Sequence, residues 1–360
     1  MEKILLWGTG KIAKEVLSQC QTLDFYDIAG ILDNDLKKRG TFFWGYPIYA
    51  PNEINNICPD RIVILTDAYD EIVRQISVEY PEFSKCVENK KFFYKESILK
   101  RYRETDDLEI KEVLDYIKQN GLDIFNYPFC NKYKNFTCKV YFDTLHQMHY
   151  VLHNGKRMYF PKKYSSESEV INYYKSILLE QDEKSPHKYL TNNFGISDGD
   201  VVIDVGVAEG NFALEIIDKV SKIYLIEADP GWIEALEVTF GDYKDKVVII
   251  NAFISSYDEG DFHTLDSVVS ENVNFIKMDI EGNEWDGLRG AKRIINNSEE
   301  LRLAICSYHS DFDQVLIEKF MDEMNIKHAH TNGYMWFPFR VRQNYVSTSL
   351  NRAIIRGIKQ

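Results

Sequence analysis

Apolar and polar positions alternate between two periods along most of this chain, and the switch from one period to the other marks out its elements. Residues 3–7, 28–32 and 61–65 are short apolar runs, whereas the stretches from about 12 to 20 and from about 69 to 80 carry apolar residues at helical spacing. Strands separated by helices predict βαβ units and a parallel sheet. From about 102 to 120 the pattern predicts a charged connecting helix. Residues 150–153 and 156–160 flank Asn154-Gly155, a pair that supplies the positive φ angles of a type I′ turn, so a β-hairpin is expected. The cluster Ser165-Ser166-Glu167-Ser168-Glu169 is suited to capping a helix over 170–179.

From Asp200 the alternation resumes. Strands are expected at 201–205, 222–226, 247–250, 275–278 and 301–307, with helices after Gly210, around 232–240 and around 284–295. Two last strand-like runs, 327–330 and 334–339, flank Asn332-Gly333 and predict a terminal antiparallel hairpin. Residues 349–359 form a short basic amphipathic segment, for which packing on its own domain is favoured over a membrane surface or a partner. The expected fold class is α/β with two Rossmann-like domains, at 1–100 and 161–360, joined by a helix and hairpin region at 101–160.

Composition narrows the functions open to such a fold. At 360 residues the chain is long enough for two cores, and no apolar stretch approaches the ~18 residues of a membrane span. A net charge of −13 repels a phosphate backbone, so nucleic acid is not an expected partner. Cys20, Cys58, Cys86, Cys130, Cys138 and Cys306 include no C-x-x-C pair, which suggests reduced structural thiols. The chain enters a strand at once, with no apolar leader ahead of it, and a cytoplasmic location is the expectation. The 23 tyrosines suit stacking on sugar rings or simply a core rich in aromatics.

Candidate chemistry gathers at the ends of the later strands. Residues 201–205 run into Gly206-Val207-Ala208-Glu209-Gly210-Asn211, a loop in which glycine lets the backbone bend and approach a ligand. The next strand ends in Glu227-Ala228-Asp229-Pro230, where an acid can accept hydrogen bonds from ribose hydroxyls. The third ends at Asn251-Ala252 and the fourth at Asp279-Ile280-Glu281-Gly282. In a parallel sheet all four ends share one edge.

These residues resemble the FkbM-type S-adenosylmethionine-dependent methyltransferases from about Phe160 onward. The resemblance rests on Asp204 to Asn211, Glu227 to Pro230, Lys277 to Glu284 and Ala304 to His309, with Glu180-Gln181-Asp182 and Ser185-Pro186-His187-Lys188-Tyr189 as the lead-in. It implies a class I methyltransferase sheet with Asp204, Gly206, Ala208 and Gly210 around the methionine moiety, in a loop that also contains Val207, Glu209 and Asn211. Glu227 would hold the ribose, Asp229 and Ala252 would lie by the adenine with Ala228 and Asn251 beside them, and Asp279 would be near the sulfonium. Val207 and Asn283 stand where the family more often has a small residue.

Methyl transfer to a hydroxyl needs alignment and a proton acceptor, for which His309, Asp279 and Glu281 are the candidates. The same three residues could instead hold a divalent cation, so metal dependence stays open. His187 and Tyr189 are either acceptor-pocket residues or a packed helix end. In the first domain, Gly8-Thr9-Gly10-Lys11-Ile12-Ala13 fits G-x-G-x-x-A with Asp33 after the next strand, a context for a dinucleotide or nucleotide sugar. The segment resembles short Rossmann-like domains preceding acyl- and methyltransferases in bacterial sugar-modifying systems, which implies binding rather than reaction; a vestigial fold or dimer support is the other reading. The leading function is O-methylation of a sugar or other small-molecule hydroxyl, with surface-polysaccharide biosynthesis as the setting. A nucleotide-sugar-binding or scaffold protein with a silent methyltransferase fold is the alternative, an NAD-dependent oxidoreductase is the third, and a homo-oligomer stays open.

Overall fold

The first strand, β1 (Lys3–Trp7), is apolar from Ile4 to Trp7 because it is covered on both faces, and the sheet around it follows the predicted alternation. The structure is a computed structural model, and it describes residues 1–19, 26–310, 312–338 and 346–359. The chain divides into two units, the first made of Met1–Asn126 with a short late stretch ending at Ser349. In the first unit, β1 is followed by α1 (Lys11–Gln19), β2 (Asp27–Leu32), β3 (Phe42–Phe43), β4 (Tyr46–Tyr49), α2 (Ile54–Ile57), β5 (Arg61–Ile64), α3 (Tyr69–Glu79), β6 (Val87–Asn89), α4 (Phe92–Arg101) and α5 (Leu108–Asn120). Among the described residues the sheet order is β3-β4-β2-β1-β5-β6, parallel except at β3. Leu5, Trp7, Leu32, Ile62 and Ile64 pack with Ile72 and Ile76 of α3.

The connecting helix starts later than its charge pattern suggests. Asp107 caps α5, its carboxylate accepting from the N–H groups of Glu109 (2.8 Å) and Ile110 (3.2 Å). The preceding stretch is a separate helix, α4, which buries Phe92, Phe93, Tyr94 and Ile98. Three aromatics in succession do not show a helical period, which hid α4 from the sequence pattern. Cys20 lies outside the described residues.

The second unit comprises Tyr127–Asn344 and Leu350–Gln360. It opens with β7 (Tyr141–Asp143), β8 (Met148–His153) and β9 (Lys156–Tyr159), an antiparallel sheet whose β8–β9 turn has Asn154 and Gly155 at φ +51° and +80°, as predicted. The helix α6 (Glu167–Glu180) begins with a capping box between Ser166 and Glu169. Then follow β10 (Val201–Val205), α7 (Asn211–Ile216), β11 (Lys222–Glu227), α8 (Pro230–Thr239), β12 (Val247–Asn251), β13 (Phe253–Ile254), β14 (Phe262–His263), α9 (Leu265–Val268), β15 (Phe275–Met278), α10 (Glu284–Arg289), α11 (Lys292–Asn297), β16 (Leu301–Cys306), α12 (Asp313–Glu323), β17 (Lys327–His330), β18 (Met335–Trp336), β19 (Leu350–Asn351) and β20 (Ile354–Lys359).

The main sheet runs β12-β11-β10-β15-β16-β20-β17 among the described residues. It is parallel except where β20 pairs antiparallel with both β16 and β17. The antiparallel end of the sheet is therefore present, with different partners from those expected. β17 pairs with β20 rather than with the next strand in sequence, and β18 pairs with β19. Asn332-Gly333 is not a hairpin turn, and Phe339 lies outside the described residues. The C-terminal segment read as amphipathic is an interior strand with Ile354, Ile355 and Gly357 buried; its β-branched, alternating residues favour that state. No helix among the described residues is long and apolar enough to cross a membrane.

Candidate active site

β10 pairs with β11 on one side and β15 on the other, so the loops after these strands part and leave a crevice at their carboxyl ends. A cavity of about 690 Å³ occupies that place, within the size range of small-molecule sites. Of the residues singled out from sequence, Gly206, Val207, Ala208, Glu209, Asn211, Glu227, Ala228, Asp229, Ala252, Asp279, Glu281 and His309 line it. Asp204, Gly210 and Asn251 are not part of its wall.

Each of those three has a supporting place. Asp204 is fully buried and ion-paired with Lys277 Nζ at 3.0 Å, while Lys277 also donates to the Gly206 carbonyl at 2.6 Å. Burial raises the Asp204 pKa and Lys277 opposes the rise. The pair braces the glycine loop from beneath. Gly210 is the N-cap of α7, and Asn251 Nδ2 donates to the carbonyls of Glu227 (2.9 Å) and Ala228 (3.1 Å).

Gly206 lies at φ +75°, and a Cβ there would collide with the Asp279 carbonyl, so only glycine lets the ends of β10 and β15 come this close. Ala208 N–H donates to Glu227 Oε2 at 2.9 Å, and the N–H groups of Ala228 (2.7 Å) and Asp229 (2.8 Å) donate to Oε1. Glu227 is thereby fixed across two loops at the cavity wall. Asp229 caps α8 through Gly231 N–H at 2.7 Å and pairs with Lys163 at 2.9 Å, which holds its carboxyl below the usual range.

Asp279 is the centre of a second group. Tyr189 donates its hydroxyl to Oδ2 at 2.8 Å, Tyr308 reaches Oδ1 at 3.5 Å, and ring nitrogens of His309 and His187 stand 3.4 and 3.8 Å away. Burial by itself would raise the Asp279 pKa, but His309, Lys277 and His187 outweigh it and hold it at about 2. His309 Nδ1 faces Glu284 Oε1 at 2.9 Å, both side chains being buried. Burial favours the neutral ring, yet Glu284 and then Asp279 raise its pKa to about 9. His187 is taken the other way, to about 4, by burial that Asp279 only partly offsets.

The sequence brought Asp279 and His309 together correctly in space and set Glu281 beside them. The structure puts Glu284 there instead. Glu281 is exposed at φ +52° on the cavity rim, whereas Glu284 accepts from the N–H groups of Ile280 (2.9 Å) and Gly282 (3.0 Å) as well as facing His309. Ligand atoms of Asp279, Glu284 and His309 lie within 4.8 Å of one another, but protein hydrogens already engage both Glu284 oxygens. Asn283 ties the same loop to the Ile254 carbonyl at 2.9 Å. His187 and Tyr189, left open between packing and function, both converge on Asp279, and Tyr189 also lines the cavity. Glu180, Tyr173, Tyr308 and Phe337 are further wall residues that the sequence had not singled out for the site, although Glu180 and Tyr308 belong to stretches that carry the family resemblance.

In the first unit, Gly8 has φ +110° and Asp33 follows β2 as expected. The Thr9 hydroxyl donates to Asp33 Oδ2, and Lys38 Nζ reaches the same oxygen at 3.0 Å and Thr9 at 2.9 Å. Burial would raise the Asp33 pKa, but Thr9 and the other donors hold it below the usual carboxylate range.

Residues 153–334 match the family model of the methyltransferase FkbM domain, and residues 1–83 match one described as C2185-like, N-terminal. Among solved structures, the methyltransferase FkbM from Methylobacillus flagellatus KT is 15% identical over 99% of this chain and 90% of its own, with a TM-score of 0.46. The precorrin-6y C5,15-methyltransferase from Geobacter metallireducens GS-15 is 13% identical over 46% of this chain and 82% of its own, at 0.33. A SAM-dependent methyltransferase from Aquifex aeolicus is 16% identical over 53% of this chain and 96% of its own, at 0.34. A search of the curated proteins found no match.

Proposed function

Because the chain belongs to the FkbM methyltransferase family and is an S-adenosylmethionine-dependent methyltransferase, we propose that it methylates a hydroxyl oxygen of a carbohydrate or other small-molecule acceptor. The observation that carries the reading is the crevice itself. It joins a close-approach glycine loop, a fixed carboxylate at the end of β11 and an ionised Asp279 in one cavity.

The donor set fits the cofactor. In this reading Glu227 holds the ribose hydroxyls, Ala252 borders the adenine, and the loop from Gly206 to Asn211 holds the methionine moiety with Asp204 and Gly210 keeping its shape. Bound S-adenosylmethionine supplies a methyl group activated by the sulfonium charge. Asp279, ionised at neutral pH, stabilises positive charge beside the acceptor. His309, as the neutral imidazole, accepts the proton of the acceptor hydroxyl, and Glu284 then stabilises the imidazolium. Tyr308 and Phe337, edge to face at 4.9 Å, offer apolar surface for an acceptor ring. We propose further that the Gly8–Gly10 loop of the first unit binds a nucleotide or nucleotide sugar, with Lys38 as the cationic contact.

The test is calorimetric titration of the full chain with S-adenosylmethionine and S-adenosylhomocysteine, followed by transfer of labelled methyl to a panel of sugars and nucleotide sugars. Binding that Glu227→Ala weakens by at least about tenfold, with label on an acceptor oxygen, is the expected result. Label on nitrogen or carbon would defeat the hydroxyl assignment. Nucleotide-sugar binding that survives Lys38→Ala would defeat the role given to the first unit.

A further inference from the structure

The carboxylates on the cavity wall differ in how fully the protein engages them. Glu227 accepts three backbone N–H groups, Asp229 caps a helix and pairs with Lys163, and Asp279 faces two histidines and Tyr189. Glu180 and Glu209 are not engaged to that degree. Glu209 is only 6% exposed, and Tyr173 donates to its Oε2 at 3.0 Å. The half-buried Glu180 side chain has no hydrogen bond or ion pair among the described residues, although it lines the same cavity. Tyr173 and Glu180 stand seven residues apart on α6, two turns along one face, so this helix brings both Glu180 and the partner of Glu209 to the cavity.

Glu180 occupies a place that folding alone does not favour. It is the last residue of α6, where the helix dipole presents its negative end. The groups facing it are Glu209, Asp279 and Lys277, with the phenols of Tyr173, Tyr189 and Tyr308. Lys277 is already paired with Asp204. Burial, then the charges of Asp279 and Glu209, push the Glu180 pKa up to about 8, and burial takes Glu209 to about 7. Among the described residues neither the Glu180 nor the Glu209 carboxylate has an ion-pair partner, and the lysine on the wall is already paired with Asp204.

We propose that Glu180, with Glu209 beside it, receives the α-ammonium group of the methionine moiety of the cofactor. The assignment rests on the reading of the cavity as the S-adenosylmethionine site. Ammonium carries three donors, enough for both carboxylates, and its arrival ionises Glu180. The proton leaves to solvent, so binding releases a proton at neutral pH and affinity rises with pH until Glu180 is ionised in the free protein.

The experiment is calorimetry of the full chain at pH 7 in buffers of different ionisation enthalpy, which counts protons. The ligands are S-adenosylmethionine, S-adenosylhomocysteine and 5′-methylthioadenosine, the last lacking the amino-acid tail. The expected result is release of between one and two protons with the first two, because Glu209 at about 7 also ionises, and none with the third. Glu180→Gln, close to isosteric, removes the larger part of the release and weakens the first two by about 10- to 100-fold while leaving methylthioadenosine unchanged. Equal weakening of all three ligands, or proton release that is undiminished in Glu180→Gln, overturns the proposal. Release with S-adenosylmethionine alone assigns the charge to the sulfonium and overturns it also. Absence of binding by all three compounds defeats the reading of the cavity itself, an outcome distinct from binding without proton release.

Discussion

His309 lies between Glu284 and Asp279 in a buried position, so its proton belongs to the fold as well as to any reaction. Its folded pKa, raised to about 9, exceeds the ~6.5 of an unfolded histidine. The stability this contributes is fully present below pH ~6.5 and is lost as pH rises through about 9. Thermal melts are expected to show that fall, and Glu284→Gln should cost about 3–5 kcal/mol at neutral pH and flatten it. Catalysis carries the opposite sign. If His309 is the base, kcat/KM rises with pH toward a plateau above about 9, and His309→Ala abolishes turnover without loss of cofactor affinity. A rate independent of pH from 6 to 10 would remove His309 from that role. The sequence could not distinguish Glu281 from Glu284, because the left-handed backbone at Glu281 and the start of α10 at Glu284 decide which carboxylate returns beneath the loop.

At the scale of elements, what was legible depended on whether a residue's partners were local. The strands β10, β11, β12 and β15 and their polar ends could be read directly, since each is a short, mainly apolar run closed by a turn. Capping of α6 by Ser166 and Glu169 was equally local. β20 was not legible, because its neighbours β16 and β17 are set by a long connection and sequence adjacency suggested another pairing. That position gives a clear expectation: ending the chain after Ala353 removes a strand hydrogen-bonded on both edges, and circular dichroism should show loss of cooperative melting. A soluble, cooperatively melting truncation would mean that residues 354–359 are dispensable to the sheet. Gly206→Ala acts on the other end of the same sheet. Its φ of +75° alone costs about 1–2 kcal/mol for a residue with a Cβ, before the overlap with Asp279 is relieved, so adenosyl binding should be lost together with stability.

Across the whole molecule there are two glycine loops at strand ends, and the sequence alone offered both as ligand sites. They differ in what their acids do. Asp33 is engaged by Thr9 and Lys38, whereas the second loop opens onto a cavity whose wall includes Glu180 without a partner among the described residues. Adenosyl ligands should therefore find the second unit, and hydrogen exchange tests this without an acceptor. At a hundredfold excess of ligand over Kd, mass action contributes about 2.7 kcal/mol, which slows exchange by up to about 100-fold wherever opening requires release of the ligand. S-adenosylhomocysteine is expected to protect residues 206–211, 227–229 and the end of α6 on that scale and to leave residues 8–13 unchanged. Protection at 8–13 in place of 206–211 would move the cofactor to the first unit, and with it the assignment of Glu227, Asp279 and Glu180.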